Sequence, residues 1–158
     1  MMEQVTSHVL MIRPAAFGYN AETAENNTFQ TKPSEQETAS LAKKALAEFD
    51  AFVNTLREEG VDVTVVEDSI DSIKPDAVFP NNWISFHDNG TLVTYPMYSK
   101  LRRLERREEI VDLIATKFNV VKRDHLEESE KENQFLEGTG SMVLDRVNKI
   151  AYACISER

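Results

Sequence analysis

Glu137 is the residue best set up for chemistry, in the run Phe135-Leu136-Glu137-Gly138-Thr139-Gly140. Two glycines beside a carboxylate let a second stretch of backbone approach with no side chain in the way. The same residues would also make a tight turn before a strand, with Glu137 in water. A second group is Asp76-Ala77-Val78-Phe79-Pro80-Asn81-Asn82-Trp83. Asp76 follows Pro75, and Pro-Asp is a common turn pair, so this acid has a structural as well as a binding reading. Asn82 can both donate and accept hydrogen bonds. The third group is Arg102, Arg103, Arg106 and Arg107. Arginine presents a planar fork that suits a carboxylate. Spaced against Glu105, Glu108 and Glu109, the four arginines equally fit a solvated, ion-paired helix face.

Other reactive side chains carry less. The single cysteine, Cys154, cannot form an internal disulfide, and it sits in the apolar stretch Ala151-Tyr152-Ala153-Cys154-Ile155. There it reads as a buried structural thiol rather than a nucleophile. His8, His87 and His125 are isolated, and no pair has metal-ligand spacing, so no metal is expected. The formal net charge of -9 argues against a nucleic-acid surface, since phosphate affinity is carried by Lys and Arg. No apolar run approaches the roughly 20 residues that span a bilayer, and no secretory signal is apparent between Met1 and Met11. A cytoplasmic location follows as the default.

The elements that must hold these residues read as α/β. His8 to Ile12 is a short buried strand ended by Arg13-Pro14. Residues 15–32, rich in Gly and Asn, have no regular pattern. Ser34 is the N-cap of a helix whose apolar face is Ala42, Ala45, Leu46, Phe49, Phe52, Val53 and Leu56. Gly60 ends it, and Val61 to Val66 is a strand. Trp83 to Phe86 and Thr91 to Tyr95 form a hairpin around Asp88-Asn89-Gly90. A helix from about Lys100 to Lys117 turns Leu104, Val111, Ile114 and Phe118 inward. Asn119 to Val121 opens another strand, and Ser129 to Asn133 is a polar loop or short helix. A second hairpin pairs Met142 to Leu144 with Ile150 to Ile155 around Asp145 to Asn148. Strand pair, helix, strand, then strand pair again suggests a repeated β-β-α-β unit, whose third copy stops after its hairpin.

The Asp76–Trp83 run resembles the amidinotransferase family. So do Arg102-Arg103-Leu104-Glu105-Arg106-Arg107, Phe135 to Leu144, and Arg13-Pro14-Ala15-Ala16-Phe17-Gly18-Tyr19-Asn20. They are most similar to the citrulline-utilising hydrolase branch. The resemblance covers nearly all of this chain but only the first half of a typical family member. It implies an α/β pentein-type propeller of five β-β-α-β units, with about two and a half of them here. All of residues 1–158 would then belong to the N-terminal part of one domain. Asn82 and Glu137 each precede a first hairpin strand, so pseudo-symmetry would bring both toward the axis.

Family chemistry implies a cysteine thiolate that attacks a planar carbon bearing three heteroatoms, and a histidine that protonates the leaving amine. Both residues would fall beyond Arg158. By resemblance, Glu137 is the catalytic carboxylate that orients the histidine, and Asp76, Phe79, Asn82 and Arg102 contact an arginine- or citrulline-like amino acid. Relatives carry Asp where Asn82 stands, so a neutral ureido end is the expected substrate. Phe17, Asn20 and Asn27 would face the ligand from a lid over residues 15–32. The expected parent is a hydrolase, with an amidino-group transferase or a non-catalytic pentein binding module as alternatives. Taken alone, such a piece is expected to be inactive and, with strand edges open, to self-associate.

Overall fold

The computed structural model describes residues 5–24 and 31–156, and Asn27 lies outside them. They divide into two compact units, one spanning Val5–Pro80 and a second beginning at Asn81.

In the first unit, strand β1 (His8–Arg13) pairs in parallel with β2 (Asp62–Glu67), from His8 opposite Asp62 to Arg13 opposite Glu67. Parallel strands need a crossover, supplied here by helix α1 (Glu35–Glu58). Glu37 reaches back to the helix start, accepting from the Ser34 hydroxyl at 2.6 Å and the Ser34 N–H at 2.9 Å. Those bonds, the hydroxyl first, hold the Glu37 carboxyl below the usual carboxylate range. Gly60, at φ 84°, takes the left-handed turn out of the helix. Among the described residues, Ile12, Val53 and Val63 are the buried apolar members of these three elements. Phe52, expected on the inner face, is 55% exposed. It lies about 100° round the helix from buried Val53, which takes the inward position. β1 is less buried than its sequence suggests, because only Ile12 is fully covered. Arg13 ties it to α1, its Nε and Nη2 donating to the two Asp50 oxygens at 2.7 and 2.8 Å.

The second unit carries a three-stranded sheet in the order β3 (Ile84–Phe86), β4 (Thr91–Thr94), β5 (Lys122–His125). β3 and β4 are antiparallel around Gly90 at φ 78°, and β4 and β5 are parallel. Between β4 and β5 the chain forms two helices, α2 (Lys100–Arg103) and α3 (Glu108–Lys117), where one continuous helix was expected. The break has a physical cause. Arg103 and Arg106 donate to the carbonyls of Met97, Tyr98 and Tyr95, and Arg107 adopts an extended backbone that restarts the helix. Ile110, Val111 and Ile114 are buried, but Leu104 and Phe118, placed inward by the continuous-helix pattern, are 48% and 38% exposed. The strand expected from Asn119 begins at Lys122. A 3-10 helix follows at Leu126–Glu132, then α4 (Gly138–Ser141) and an antiparallel pair, β6 (Met142–Asp145) and β7 (Ile150–Ala153). β7 is exposed along its length, and so is Cys154. The buried-thiol reading is therefore corrected: an apolar strand is buried only where a second layer covers it, and among the described residues none covers β7.

His87 sits just after β3 in a chain of hydrogen bonds. Arg146 donates from Nη1 to its Nδ1 at 3.2 Å, which places the neutral ring's proton on Nε2. Nε2 then donates to Ser85 Oγ at 3.1 Å, and that hydroxyl bonds Tyr95 Oη at 2.7 Å. Burial of the ring, then the Arg146 charge, lower the His87 pKa below the ordinary imidazole value, against the opposing pull of Asp88 and Asp124. As pH falls below about 6.5 the unfolded chain therefore takes up this proton first, and stability drops until the folded ring is protonated as well. Melting temperature followed from about pH 7.5 down to about pH 5 should show this loss, and His87→Gln should flatten it. An unchanged slope in the variant would assign the loss to other groups.

Candidate functional site

Glu137 is 1% exposed, so the solvated-turn reading does not hold. Three things position it. The Tyr98 N–H donates to Oε1 at 3.2 Å, the Glu137 N–H donates to Ser141 Oγ at 3.3 Å, and Arg102 Nη1 lies 3.9 Å from Oε2. Arg102 is itself buried and gives its bidentate edge to Glu105, from Nε at 2.9 Å and Nη2 at 3.0 Å. The side chains of Arg102, Glu105 and Glu137 are 4%, 1% and 2% exposed. Two carboxylates around one guanidinium give this buried trio a formal charge of -1.

The neighbouring arginines hold the frame rather than water. Arg106 makes a fork to Glu130, Nη1 at 2.7 Å and Nη2 at 3.0 Å, and Glu130 also accepts the Met97 N–H at 2.7 Å. Arg103 lies 5.6 Å over the Phe135 ring, whose edge meets Tyr98 with centroids 5.4 Å apart. Arg103 and Arg106 thus fasten residues 95–98, and Tyr98 delivers the N–H that holds Glu137. The solvated helix face weighed for these residues is corrected for Arg102, Arg103 and Arg106, whose partners Glu105 and Glu130 turn inward with them. It holds for Glu108 and Glu109, which are exposed, the latter paired with Arg107. Glu105 is the member that sequence reasoning passed over. Its i,i+3 spacing from Arg102 was visible, but a pair on a wet face and a pair in a core have the same spacing.

The loops of Asn82 and Glu137 come together. Asn81 Nδ2 donates to Thr139 Oγ1 at 3.0 Å, and the Thr139 hydroxyl donates back to the Asn81 carbonyl at 3.3 Å. Gly138 is required for this approach, and Gly140 leaves room for the Asn82 side chain. A Cβ on Gly138, already at φ 44°, would overlap the Asn81 carbonyl oxygen and sit 3.0 Å from that of Asn82. A Cβ on Gly140 would fall onto the Asn82 carboxamide.

In the Val5–Pro80 unit, Asp76 is 5% exposed and Asn20 is 0% exposed, and Asn20 Nδ2 donates to Asp76 Oδ2 at 2.8 Å. Asn20 therefore spends its amide on an acid of the protein rather than on solvent. Phe79 is 46% exposed. Beside them is an element that sequence reading missed altogether. Lys74 Nζ is enclosed by Ser69 O and Ser72 O at 3.0 Å, Ser72 Oγ at 3.0 Å, Ser69 Oγ at 3.2 Å and Asp68 Oδ1 at 3.2 Å. Among the described residues no group of three metal-ligating side chains occurs, and no helix is long and apolar enough to cross a membrane.

The family model described as N,N dimethylarginine dimethylhydrolase, eukaryotic, matches residues 13–158, nearly the whole chain. The chain belongs to that family. Among curated proteins, none matches it in sequence. Its fold is that of solved relatives. The N-terminal domain of ArgZ, a cyanobacterial arginine dihydrolase, bound to substrate, superposes with TM-score 0.58 at 20% identity over 92% of this chain and 48% of that one. The dimethylarginine dimethylaminohydrolase of Pseudomonas aeruginosa, complexed with citrulline, gives 0.57 at 20% identity over 87% of this chain and 47% of that one. AgrE, in a ternary complex with ornithine and NAD+, gives 0.62 at 19% identity over 94% of this chain and 20% of that one. Identities this low establish the shared α/β, pentein-type fold. The chain spans about half the length of the first two structures.

Proposed function

We propose that this chain is the N-terminal half of a cysteine-dependent hydrolase acting on the ureido or guanidino group of a citrulline- or arginine-like amino acid. It would form about two and a half of the five β-β-α-β units of one pentein domain. The observation that carries the reading is the buried, net-negative cluster of Arg102, Glu105 and Glu137 on a glycine loop abutting Asn81 and Asn82. A carbon bonded to three heteroatoms is a poor electrophile, because its π system is delocalised. Attack on it needs acceptors that hold its N–H groups in one plane and an anion that keeps an imidazolium in place. Glu137 would be the catalytic carboxylate. Asp76, Phe79, Asn82 and Arg102 would contact substrate, Arg102 doing so from beside Glu137 while its bidentate edge stays on Glu105. The nucleophilic thiolate and the histidine that protonates the departing amine would come from the other half of the parent protein. No cofactor is required by this chemistry, and the cytoplasm is the compartment that suits a free thiolate.

Asn82 selects the substrate end in this reading. A carboxamide offers a donor as well as an acceptor, which fits a ureido C=O and NH2, whereas Asp in its place would favour a guanidinium. The test starts from the native gene product, with its intact mass measured and its turnover of citrulline, arginine and dimethylarginine assayed. Asn82→Asp should shift the ratio of guanidino to ureido turnover by about tenfold or more, the scale of one charge-assisted hydrogen bond. An unchanged ratio would remove Asn82 as the discriminator. Turnover that requires an amine acceptor would make the parent a transferase, and binding without turnover would make it a binding module.

A further inference from the structure

Asn20 lies in a stretch that reads as an irregular loop, yet it is as buried as any core residue. Its carboxamide is oriented by its own turn. The Glu22 N–H donates to Oδ1 at 3.0 Å, and the Thr23 N–H donates to the Asn20 carbonyl at 3.3 Å. This is an Asx turn, and it fixes the sense of the amide, because a flipped group would aim NH2 at the Glu22 N–H. The NH2 end must then face Asp76, and it does, at 2.8 Å from Oδ2. On the other side Asp76 is set by its backbone, whose carbonyl accepts the Phe79 N–H at 3.0 Å. The terminal torsion of an aspartate is otherwise broad, so the carboxylate plane is chosen by whatever bonds it.

We infer that Asn20 is a positioning residue for Asp76, fixing the carboxylate plane that meets the substrate's nitrogens. The inference rests on the proposed role of Asp76 and adds to it a partner 56 positions earlier in the chain. A carboxylate that reads a planar array of N–H groups works only when its own plane is aligned with theirs. Asn20 supplies that alignment with a neutral donor, which adds no charge beside the Asp76 carboxylate. The loop that carries the Asx turn becomes part of the binding geometry without touching the ligand.

The test uses the full-length protein with citrulline as the probe substrate and three variants. Asn20→Ala should raise KM about tenfold with kcat within about threefold, as expected for loss of one hydrogen bond to a charged group. Asn20→Asp keeps the acceptor for Glu22 but sets two carboxylates a hydrogen bond apart, so the pair holds one proton and titrates as a unit. With that proton in place the introduced acid donates as Asn20 does. KM of Asn20→Asp should therefore lie near the parent value at low pH and rise as pH increases, which a purely structural role would not produce. Asp76→Ala separates the two ideas. If it raises KM while both Asn20 variants match the parent at every pH, the positioning role is overturned and the role of Asp76 stands. If Asp76→Ala leaves KM unchanged, the substrate role of Asp76 fails and the inference falls with it. If both Asn20 variants lose the soluble fold at every pH, Asn20 is a structural residue and the positioning role is overturned.

Discussion

Lys74→Met should destabilise the Val5–Pro80 unit by about 3–5 kcal/mol, the usual cost of removing one partner from a buried ion pair. Lys74 and Asp68 have side chains 1% exposed. The ammonium carries three N–H bonds and has five oxygens within 3.2 Å, so it is over-supplied with acceptors and well compensated for its desolvation. Asp68 is not. Its Oδ1 accepts the Ser69 N–H at 2.9 Å, and its Oδ2 is buried without a hydrogen-bond partner among the described residues. Removing Lys74 strands that carboxylate, and it also releases four serine oxygens from their common donor. Methionine fills the volume of the stem, so the loss reports the charge and its hydrogen bonds rather than a cavity. Urea unfolding of the chain at neutral pH checks this, with Asp68→Asn/Lys74→Met as the second arm. The double variant should recover a large part of the loss, because the uncompensated charge is gone. If the double variant is as unstable as Lys74→Met alone, the serine contacts and not the ion pair hold the loop that leads to Asp76.

That loop shows where sequence reasoning reached and where it stopped. Element type was legible wherever apolar periodicity and turn chemistry agreed. The period of Ala42 to Leu56 gave α1, and Asp88-Asn89-Gly90 gave the first hairpin with Gly90 at positive φ. The close approach at Gly138 and Gly140 was legible only as one of two readings, beside a plain tight turn, because both need a residue without a side chain. Buried charge was not. In Lys100 to Lys117 the charged residues alternate in sign at helical spacing, a pattern that periodicity assigns to water. The structure instead sends Arg102, Arg103, Arg106, Glu105 and Glu130 into one another and onto backbone carbonyls, which breaks the helix at residues 104–107. A pair of opposite charges neutralises itself, so nothing in composition separates the two outcomes. Lys74 failed for the same reason: its partners are two serines and an aspartate, residues that on their own only announce a turn. Cys154 failed in the opposite direction, since an apolar strand reads as buried whether or not a covering layer is present.

The same cluster makes Glu137→Gln the most telling change for the proposed chemistry. Glutamine keeps the shape, and its Oε1 can still accept the Tyr98 N–H that Glu137 accepts at 3.2 Å. Arg102 keeps both bonds to Glu105, so the guanidinium is not stranded. What disappears is one negative charge, taking the formal charge of the trio from -1 to zero. Thermal stability should therefore move little, within about 1 kcal/mol, because the closer, bidentate partner of Arg102 stays in place. Turnover by the full-length protein should fall about a hundredfold or more, the scale expected when a group that holds a catalytic acid or stabilises developing positive charge is neutralised. Glu105→Gln is the control on the same guanidinium. It too takes the trio to zero, but it removes a bidentate partner from a buried arginine, so it should cost stability first and draw Arg102 toward Glu137. A variant pair in which Glu105→Gln melts early with modest kinetic loss, while Glu137→Gln melts like the parent and is kinetically dead, would assign Glu137 to the chemistry and Glu105 to its support. If activity in both variants simply tracked melting temperature, Glu137 would be one more buried acid in an arginine cage.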